Sequence, residues 1–419
     1  MNAPPFPRWL APRLPFFYGW IILACVCCAG LSRQGGAVAT LSVFVAPMTA
    51  EFGWSRTAIS GAVSLGGILA AILSPKLGPI LDRRGARLVL CLAILGTGIA
   101  DMLLSLTVSL TMFYVLFCVA RLNFAGPFDL GIYGAVNNWF VSRRILANAI
   151  ATVGSMSGLV LLPMIASLAM AASGWRAGWF AIGVTVLLVG FVPVFLLMVR
   201  RPEDLGLRPD GGLPPALDPA APLRPEPAFT RAEALRTRSF WLLSLFTLFA
   251  YPVQAGVSLH QAPFLIERGL SPEAAGAVVS YCSLMSGIAG FGFGFLPRFM
   301  TVRLKLAAVG VLLGIATVLY GPVSGAGSAY LAATFFGLGI GGLLVMLPVA
   351  WADYFGRRSY GAIRGIALTV QVLAQAVGPV LSGVLRDATG GYETSLLCFG
   401  VLAGLSALAA LLTGPPGKA

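Results

Sequence analysis

The ten residues GPILDRRGAR, at positions 78–87, interrupt an otherwise apolar part of the chain with three arginines and an aspartate. Apolar runs lie on both sides, over 57–81 and 88–106. Each is about 20 residues long, which is the length that a helix needs to cross a hydrocarbon layer of about 30 Å. The charged turn has to stay near water, because a charged side chain at the centre of a bilayer costs about 3 kcal/mol. The stretch therefore predicts two membrane-spanning helices joined outside the membrane.

The same pattern recurs along the whole chain. Hydrophobic residues make up 58% of the sequence and charged residues only 10%, which is far from the composition of a water-soluble globule. Alternation with period 2 is absent, and lipid leaves only helices to satisfy the backbone. We therefore predict an all-α membrane protein. Its twelve transmembrane helices, called spans 1 to 12, are expected at 16–46, 57–81, 88–106, 110–140, 146–171, 177–199, 239–263, 272–296, 304–321, 326–353, 362–386 and 393–413.

The basic residues predict the orientation in the membrane. Of 28 lysines and arginines, 21 lie at the termini or in the loops after spans 2, 4, 6, 8 and 10, Arg364 among them, and 4 lie in the opposite loops. The positive-inside rule then predicts a multi-pass protein of the cytoplasmic (inner) membrane with both termini cytoplasmic. The basic start is expected to be a retained tail, because the apolar run after it is too long for a signal peptide. The net charge of +13 thus reflects topology, and the expected partner is the lipid bilayer rather than nucleic acid.

The two halves of the chain are related. EFGWSRTAISGAVS at 51–64 and ERGLSPEAAGAVVS at 267–280 share six of fourteen residues at an offset of 216. Such a duplication is typical of transporters. Ser55 and Ser271 match within it, and we expect them to be the N-caps of spans 2 and 8.

A proline-rich stretch of mixed charge separates the halves, and its composition is that of an extended linker. Near its end, Thr230 and Glu233 have the spacing of a capping box and predict a short helix before span 7. We predict three parts, which are an N-terminal six-helix bundle at 1–199, a cytoplasmic linker at 200–238 and a pseudo-symmetric C-terminal six-helix bundle at 239–419.

Twelve spans in two halves, with a loop that fits G-x3-D-R-x-G-x-R between spans 2 and 3, resemble the major facilitator superfamily. The resemblance implies that this loop and its counterpart, DYFGRRSYGAIRG at 353–365, latch the two halves on the cytoplasmic side. It implies gating roles for Gly78, Asp82, Arg83 and Arg87, and for Asp353, Arg357 and Arg358.

A narrower resemblance rests on WFVSRRILANAIATVGSMSG at 139–158 and YGW at 18–20. These stretches look like the monocarboxylate transporters and the oxalate/formate antiporter group. The resemblance implies secondary active transport of a small organic anion, of the monocarboxylate type, by alternating access and coupled to protons or exchange. The basic residues that bind carboxylate in that group, on spans 8 and 11, have no counterpart here, so Arg33 and Arg121 are the expected substitutes.

Charged residues inside the spans are the best candidates for the substrate site, because each is costly in lipid. Arg33 lies on span 1, and Arg121 and Asp129 lie eight residues apart on span 4, about 80° round a continuous helix. We expect Asp129 to neutralise one arginine while the other binds an anion through its planar fork of donors. The alternative is a buried network that only fixes helix packing. Further polar candidates for the substrate site are Asn123, Tyr133, Tyr281 and Gln371.

Proton coupling is assigned to Asp129 or to His260, the only histidine. The alternative for His260 is a structural histidine at the membrane interface. Asp101 on span 3 is expected nearer the outer surface, where it snorkels or pairs, and the alternative is a functional role.

No enzyme is predicted. One histidine excludes HExxH, and neither G-x-S-x-G nor G-x4-G-K-[ST] occurs. No cofactor or metal is expected, and the expected assembly is a monomer. The alternative functions are export of a hydrophobic or cationic compound and a non-transporting sensor of the same fold.

Overall fold

The computed structural model of the protein describes residues 4–211, 226–296 and 300–417, without the side chains of 56 and 57. Within these ranges the regular secondary structure is helical, as predicted. The chain packs into two compact units, and each is described in turn. The predicted boundaries of 1–199, 200–238 and 239–419 stay predictions, and the part of the linker at 212–225 lies outside the described residues.

Unit 1 comprises Met1–Ala228 and Gly356–Thr369. A short helix and a 3₁₀ turn, Pro5–Leu10 and Ala11–Arg13, precede span 1. Span 1 consists of Gly19–Arg33, the 3₁₀ turn Gln34–Gly36 and Val38–Phe52. Spans 2 to 4 are Arg56–Arg84, Ala86–Leu104, and the pair Leu110–Ala125 and Pro127–Trp139. Spans 5 and 6 lie within Arg144–Thr185, the π-helix Val186–Phe191 and Val192–Leu197, and the 3₁₀ turns Pro202–Leu205 and Pro209–Gly211 follow.

Spans 5 and 6 form one long helical region, Arg144–Leu197, of 54 residues. It is divided at Ser173 and Gly174, whose φ/ψ angles of −148°/22° and 80°/174° are not helical. The division falls between the predicted ends at 171 and 177, so the prediction of twelve spans is confirmed. A positive φ explains the glycine, because other residues are strained there.

Unit 2 comprises Phe229–Phe355 and Val370–Ala419. It opens with the helix Arg231–Leu235, whose capping box of Thr230 and Glu233 is formed as predicted. Spans 7 to 10 are Arg238–Glu267, Pro272–Phe295, Val302–Tyr320 and Ala326–Phe355. Span 11, Tyr360–Thr389, begins in unit 1 and ends in unit 2, and span 12 is Glu393–Leu412.

The helix boundaries repeat at the offset seen in the sequence. Span 3 and span 9 begin and end 216 residues apart, and so do spans 4 and 10. Both predicted N-caps are formed, because Ser55 Oγ accepts from the Ala58 amide at 3.1 Å and Ser271 Oγ from the Ala274 amide at 3.2 Å. The internal duplication is therefore visible in the fold as well as in the sequence.

Two spans of unit 1 are broken near their middle. Span 1 is interrupted by Gln34–Gly36, and span 4 by Gly126 with φ −115° and ψ −85°. Pro127 explains the second break, since a proline disfavours the helical conformation of the residue before it. The expectation that Arg121 and Asp129 share one continuous helix is therefore wrong.

Small residues let span 5 approach span 1 closely. A Cβ added to Gly154 would lie 2.6 Å from Cys27 Cβ, and one added to Gly158 would lie 2.5 Å from the Leu31 carbonyl oxygen. Both glycines belong to the stretch 139–158, so at least part of that stretch serves helix packing.

Candidate functional site

A cluster of charged side chains lies where spans 1 and 4 are broken, inside unit 1. Arg33, at the end of the first half of span 1, has a half-buried side chain with 15% exposure. Its Nη2 lies 3.6 Å from Asp129 Oδ2, and its Nε donates to the Phe124 carbonyl at 2.9 Å. That carbonyl belongs to the last turn before the break at Gly126, where helix carbonyls lack intrahelical partners. The break in span 4 therefore supplies an acceptor that a continuous helix would not offer.

Arg121 lies on the first half of span 4. Its Nη1 donates to the Gly36 carbonyl at 3.4 Å, which is the carbonyl of the last residue in the turn of span 1. Its Nε is buried and has no hydrogen-bond partner in the described part of the chain. The stem of Arg121 packs on Gly66 of span 2, where an added Cβ would lie 2.6 Å from Arg121 Cβ. The arginine is thus fixed by its stem but retains a donor that is not used.

The Phe124 ring lies against both guanidiniums. The Cζ atoms of Arg33 and Arg121 are 4.5 Å and 4.6 Å from the ring centroid. Both distances are within the range of cation–π attraction, which is worth about 0.5–2 kcal/mol according to solvation. The ring helps to hold two like charges near each other. Phe124 is a site residue that the sequence did not reveal, because an aromatic residue in an apolar span has no distinguishing signal.

Asp129 is the carboxylate of the cluster, and it has a second partner. Arg364 Nη2 lies 3.2 Å from Asp129 Oδ1, and the two side chains are only 1% and 5% exposed. Arg364 is part of the segment Gly356–Thr369 within unit 1. The sequence placed it among the cytoplasmic basic residues, since it lies two residues inside the predicted start of span 11. The sequence did not indicate that Arg364 is buried.

The cluster has more positive than negative charge. Three guanidiniums, those of Arg33, Arg121 and Arg364, meet one carboxylate, that of Asp129. Asp129 contacts Arg33 and Arg364, so within the described ranges Arg121 is the arginine of the cluster that forms no ion pair with a carboxylate. An excess of buried positive charge attracts an anion, and the guanidinium fork suits a carboxylate.

Two polar candidates of unit 1 lie on the same span but bond elsewhere. Asn123 Nδ2 donates to Thr97 Oγ1 of span 3 at 3.2 Å. The Tyr133 and Thr152 hydroxyls are 3.4 Å apart, and Tyr133 is buried. These contacts join spans 3, 4 and 5, and a substrate-binding role for Asn123 and Tyr133 stays a prediction.

The remaining candidates lie in unit 2. The hydroxyls of Tyr281 and Thr334 are 3.1 Å apart, and Gln371 is buried. His260 has partners on both ring nitrogens, with Nδ1 3.1 Å from the Tyr392 hydroxyl and Nε2 3.1 Å from the Pro379 carbonyl. Because a carbonyl only accepts, the proton lies on Nε2. This is the contact set of a structural histidine, and its role in proton coupling stays a prediction.

The last turns of span 2 meet the start of span 11 within unit 1. The Asp82 carboxylate accepts from the amides of Gly361 at 2.8 Å and Ala362 at 2.7 Å. Backbone amides in the first turn of a helix have no intrahelical acceptor, so they favour a carboxylate. A Cβ added to Gly78 would lie 2.0 Å from the Gly361 carbonyl oxygen, so the two backbones touch.

The other residues of the implied gate differ in their surroundings. Arg83 and Arg358 are exposed, and Asp353 is half-buried in the last turn of span 10. Arg87 donates to the Phe195 carbonyl of span 6, from Nη2 at 2.6 Å and from Nε at 3.0 Å. Arg87 therefore joins spans 3 and 6 inside unit 1.

Arg357 lies in a network with the described ends of the linker. It donates to Glu203 at 2.5 Å, to Glu226 at 2.9 Å and to the Asn138 carbonyl at 3.1 Å, and Arg144 also contacts Glu226. Burial alone lowers the pKa of Arg357, but Glu203 and Glu226 outweigh it and hold the pKa above its ordinary value. The linker acids thus keep this arginine charged and in place.

Comparison with known proteins also finds transporters. The model of the Major Facilitator Superfamily matches residues 22–379. Monocarboxylate transporter 11 of Homo sapiens is 27% identical over 278 residues, which cover 64% of this chain and 56% of that protein. The match therefore spans little more than half the length of that relative. The hexuronate transporter of Bacillus subtilis (strain 168) is 26% identical over 350 residues, which cover 79% of each chain.

A solved structure shows the fold alone. The proton:xylose symporter XylE bound to 6-bromo-6-deoxy-D-glucose superimposes with a TM-score of 0.72 at 15% sequence identity. The alignment covers 93% of this chain and 94% of that one. At such identity the similarity concerns the architecture, and function has to be argued from the site.

Proposed function

Because this chain belongs to the Major Facilitator Superfamily, we propose that it is a secondary transporter of a small organic anion, of the monocarboxylate class. The anion crosses the cytoplasmic membrane by alternating access and is driven by a proton gradient or by exchange. The multi-pass fold belongs to the family, whereas the substrate class and the coupling are parts of the proposal.

One observation carries the substrate class. Arg121 has a buried Nε with no hydrogen-bond partner among the described residues, beside a second arginine and over an aromatic ring. An incoming carboxylate would accept from this Nε and from a terminal nitrogen in the two-bond geometry that guanidinium favours. This fork consists of Nε and Nη2, and the long 3.4 Å bond from Nη1 to the Gly36 carbonyl does not occupy it.

Asp129 would set the charge that the anion meets. While it contacts Arg33 and Arg364, those guanidiniums are neutralised in part and Arg121 is the main attraction. Three guanidiniums and one carboxylate carry a net charge of +2, and an entering monocarboxylate lowers it to +1. A dicarboxylate would balance the charge fully, so the charge of the cluster supports an anion in general. The monocarboxylate class is supported by the similarity to monocarboxylate transporter 11 of Homo sapiens.

The gate belongs to the proposal too. We assign Asp82, Gly78 and the start of span 11 to a cytoplasmic closure that forms and breaks during the cycle. Gating roles are also assigned to Arg83, Arg87, Asp353, Arg357 and Arg358. The short bonds from Gly361 and Ala362 to Asp82 support this, because two backbone bonds can break and re-form without a rearrangement of the core. Both termini would lie on the cytoplasmic side.

The first test is ligand-dependent thermal stability of the purified protein with lactate, pyruvate, succinate, glucose and a lipophilic cation. A ligand at 100 times its dissociation constant stabilises the native state by about 2.7 kcal/mol. We expect stabilisation by the monocarboxylates. Stabilisation by the cation alone would favour an exporter, and the anion proposal would be wrong.

The second test is uptake of radiolabelled monocarboxylate into proteoliposomes by Arg121→Ala and Arg33→Ala. We expect loss of uptake in Arg121→Ala with normal folding. The matched control is Arg231→Ala, which removes an exposed arginine from the short helix Arg231–Leu235. Normal uptake by Arg121→Ala would remove this residue from the site. Ligand stabilisation of the wild type without any uptake would favour a sensor.

A further inference from the structure

Asp101 is a buried carboxyl that the proposed anion site does not use. It lies on span 3 with 0% exposure. Neither of its oxygens has a hydrogen-bond partner in the described part of the chain. The expectation that Asp101 snorkels to the outer surface or pairs is therefore wrong.

Its surroundings are apolar. A Cβ added to Gly35 would lie 2.4 Å from Asp101 Oδ2, 3.1 Å from Thr97 Cγ2 and 3.4 Å from Val186 Cγ2. The carboxyl thus lies against Gly35, at a place that two methyl groups also border. Such surroundings favour the neutral acid over the carboxylate, since a buried charge is stable only when it is paired.

Charged groups on the neighbouring spans bond elsewhere. Arg33 contacts Asp129 and the Phe124 carbonyl, Arg121 contacts the Gly36 carbonyl, and Arg176 contacts Glu51. None of these groups forms an ion pair with Asp101 among the described residues. The two tyrosines of span 4 are engaged as well, Tyr133 with Thr152 and Tyr114 with the Ala58 carbonyl.

The carboxyl touches a backbone irregularity that also touches the anion site. Gly35 and Gly36 are consecutive residues of the 3₁₀ turn in span 1. Gly35 lies against Asp101, and the Gly36 carbonyl accepts from Arg121. Val186, whose Cγ2 also lies beside Gly35, begins a π-helix, and its carbonyl accepts from Ser32 Oγ at 3.2 Å. Irregular turns of this kind are frequent at functional sites.

We propose that Asp101 is a proton-binding site of the transport cycle and that the turn Gln34–Gly36 links its protonation to anion binding at Arg121. The second half of this statement rests on the proposed function. A carboxylate bound by Nε and Nη2 of Arg121 draws the guanidinium toward itself and lengthens the bond from Nη1 to the Gly36 carbonyl, which is already 3.4 Å. The turn is then free to shift, and water that reaches Asp101 on one side of the membrane accepts its proton. Return of the turn requires the neutral acid, so the proton has to be bound again.

Infrared spectroscopy of the purified protein tests the proton site without any substrate. The difference between wild type and Asp101→Asn should contain the C=O stretching band of a weakly hydrogen-bonded carboxylic acid at neutral pH. Asp129→Asn should leave that band in place. A difference spectrum that lacks the carboxylic-acid band and contains carboxylate bands instead would overturn the assignment, because Asp101 would then be ionised.

Two glycine variants test the link through the turn. Gly35→Ala places a methyl group on the Asp101 carboxyl and should shift its band, whereas Gly276→Ala, with nothing within 4 Å of the added atom, should not. Saturating lactate should also shift the band in wild type and not in Arg121→Ala. An unchanged band in Gly35→Ala would remove the contact from the proposal.

Proteoliposomes test the role in transport. In Asp101→Asn, which mimics the neutral acid, lactate exchange should persist while uptake driven by a pH gradient falls at least tenfold. Uptake that stays driven by the pH gradient would overturn the proposal. The two failures are distinguishable: if the wild type neither binds nor moves lactate, the proposed function is wrong and the infrared arms still decide whether Asp101 binds a proton.

Discussion

Spans 1 and 4 of unit 1 differ from spans 7 and 10 of unit 2, although they hold equivalent places in the repeat. Span 4 breaks at Gly126, whereas span 10 runs as one helix over the same 30 residues, Ala326–Phe355. Span 1 breaks at Gln34–Gly36, and span 7 is the continuous helix Arg238–Glu267. The breaks thus occur in one copy of the repeat.

The charges occur in the same copy. At the offset of 216, Phe249, Gly337 and Val345 stand opposite Arg33, Arg121 and Asp129, respectively. The two differences have one physical cause. A buried guanidinium needs several acceptors, and a continuous helix uses its own carbonyls. The breaks release the Gly36 and Phe124 carbonyls, and the arginines of the cluster donate to both.

Among the variants that test this difference between the two units, Asp129→Asn should lower the thermal stability most. It removes the negative charge between the buried guanidinium of Arg364 and the half-buried one of Arg33, and loss of one partner from a buried ion pair costs about 3–5 kcal/mol. We expect a large fall in thermal stability in detergent. Asp387→Asn is the control, because the Asp387 side chain is 75% exposed and its loss should cost at most about 1 kcal/mol. Equal effects of the two variants would contradict a stabilising role of the cluster.

Gly78→Ala should cause the next largest loss of thermal stability. The added methyl group would lie 2.0 Å from the Gly361 carbonyl oxygen, and overpacking of this kind costs about 1–3 kcal/mol. Gly292→Ala in span 8, the repeat partner of span 2, is the control, because nothing lies within 4 Å of its added atom. It should be neutral or slightly stabilising, since alanine favours a helix. Thermal unfolding of the two variants measures the difference, and no difference would mean that the contact is loose.

Asp82→Ala should have a moderate effect. It removes the acceptor of the Gly361 and Ala362 amides, and loss of a helix N-terminal cap costs about 0.5–2 kcal/mol. Asp82→Asn keeps an acceptor and should retain part of the stability. If the alanine and asparagine variants unfold at the same temperature as the wild type, the carboxylate does not hold the start of span 11.

Phe124→Ile should have the smallest effect. It introduces isoleucine, the residue type that unit 2 has at the equivalent position, Ile340. It also removes the ring between two guanidiniums. Loss of about 0.5–1 kcal/mol of cation–π attraction corresponds to a several-fold weaker affinity. A titration with lactate measures it. Phe124→Tyr keeps the ring and should bind normally, and equal affinity in both variants would show that the ring does not position the arginines.

Much of the fold follows from the sequence, because hydrophobic length and loop charge are local properties. Twelve spans, the division near Gly174, the N-caps at Ser55 and Ser271 and the capping box at Thr230 were all predicted and are present. The break at Gly126 was missed. A Gly-Pro pair within an apolar run either breaks the helix or is accommodated within a continuous one. The packing of neighbouring spans decides between these outcomes.

The site was predicted only in part. Arg33, Arg121 and Asp129 stand out in the sequence, because charge inside a span is rare. Arg364 did not stand out, since it lies at the edge of a span where basic residues are common. Asp101 stood out as a charge, but its isolation did not, because the absence of a partner is a property of the surrounding packing.

The sequence by itself determined the number of spans, their helical nature, the duplication and the family, since hydrophobicity, helix length and motif spacing act along the chain. The tertiary structure alone decided which arginine Asp129 contacts, which donor of Arg121 is left without a partner and which carboxyl lies in apolar surroundings. Each of these depends on distances of a few ångströms between residues far apart in the sequence. Such distances arise only when the spans pack and release or bury individual hydrogen-bonding groups.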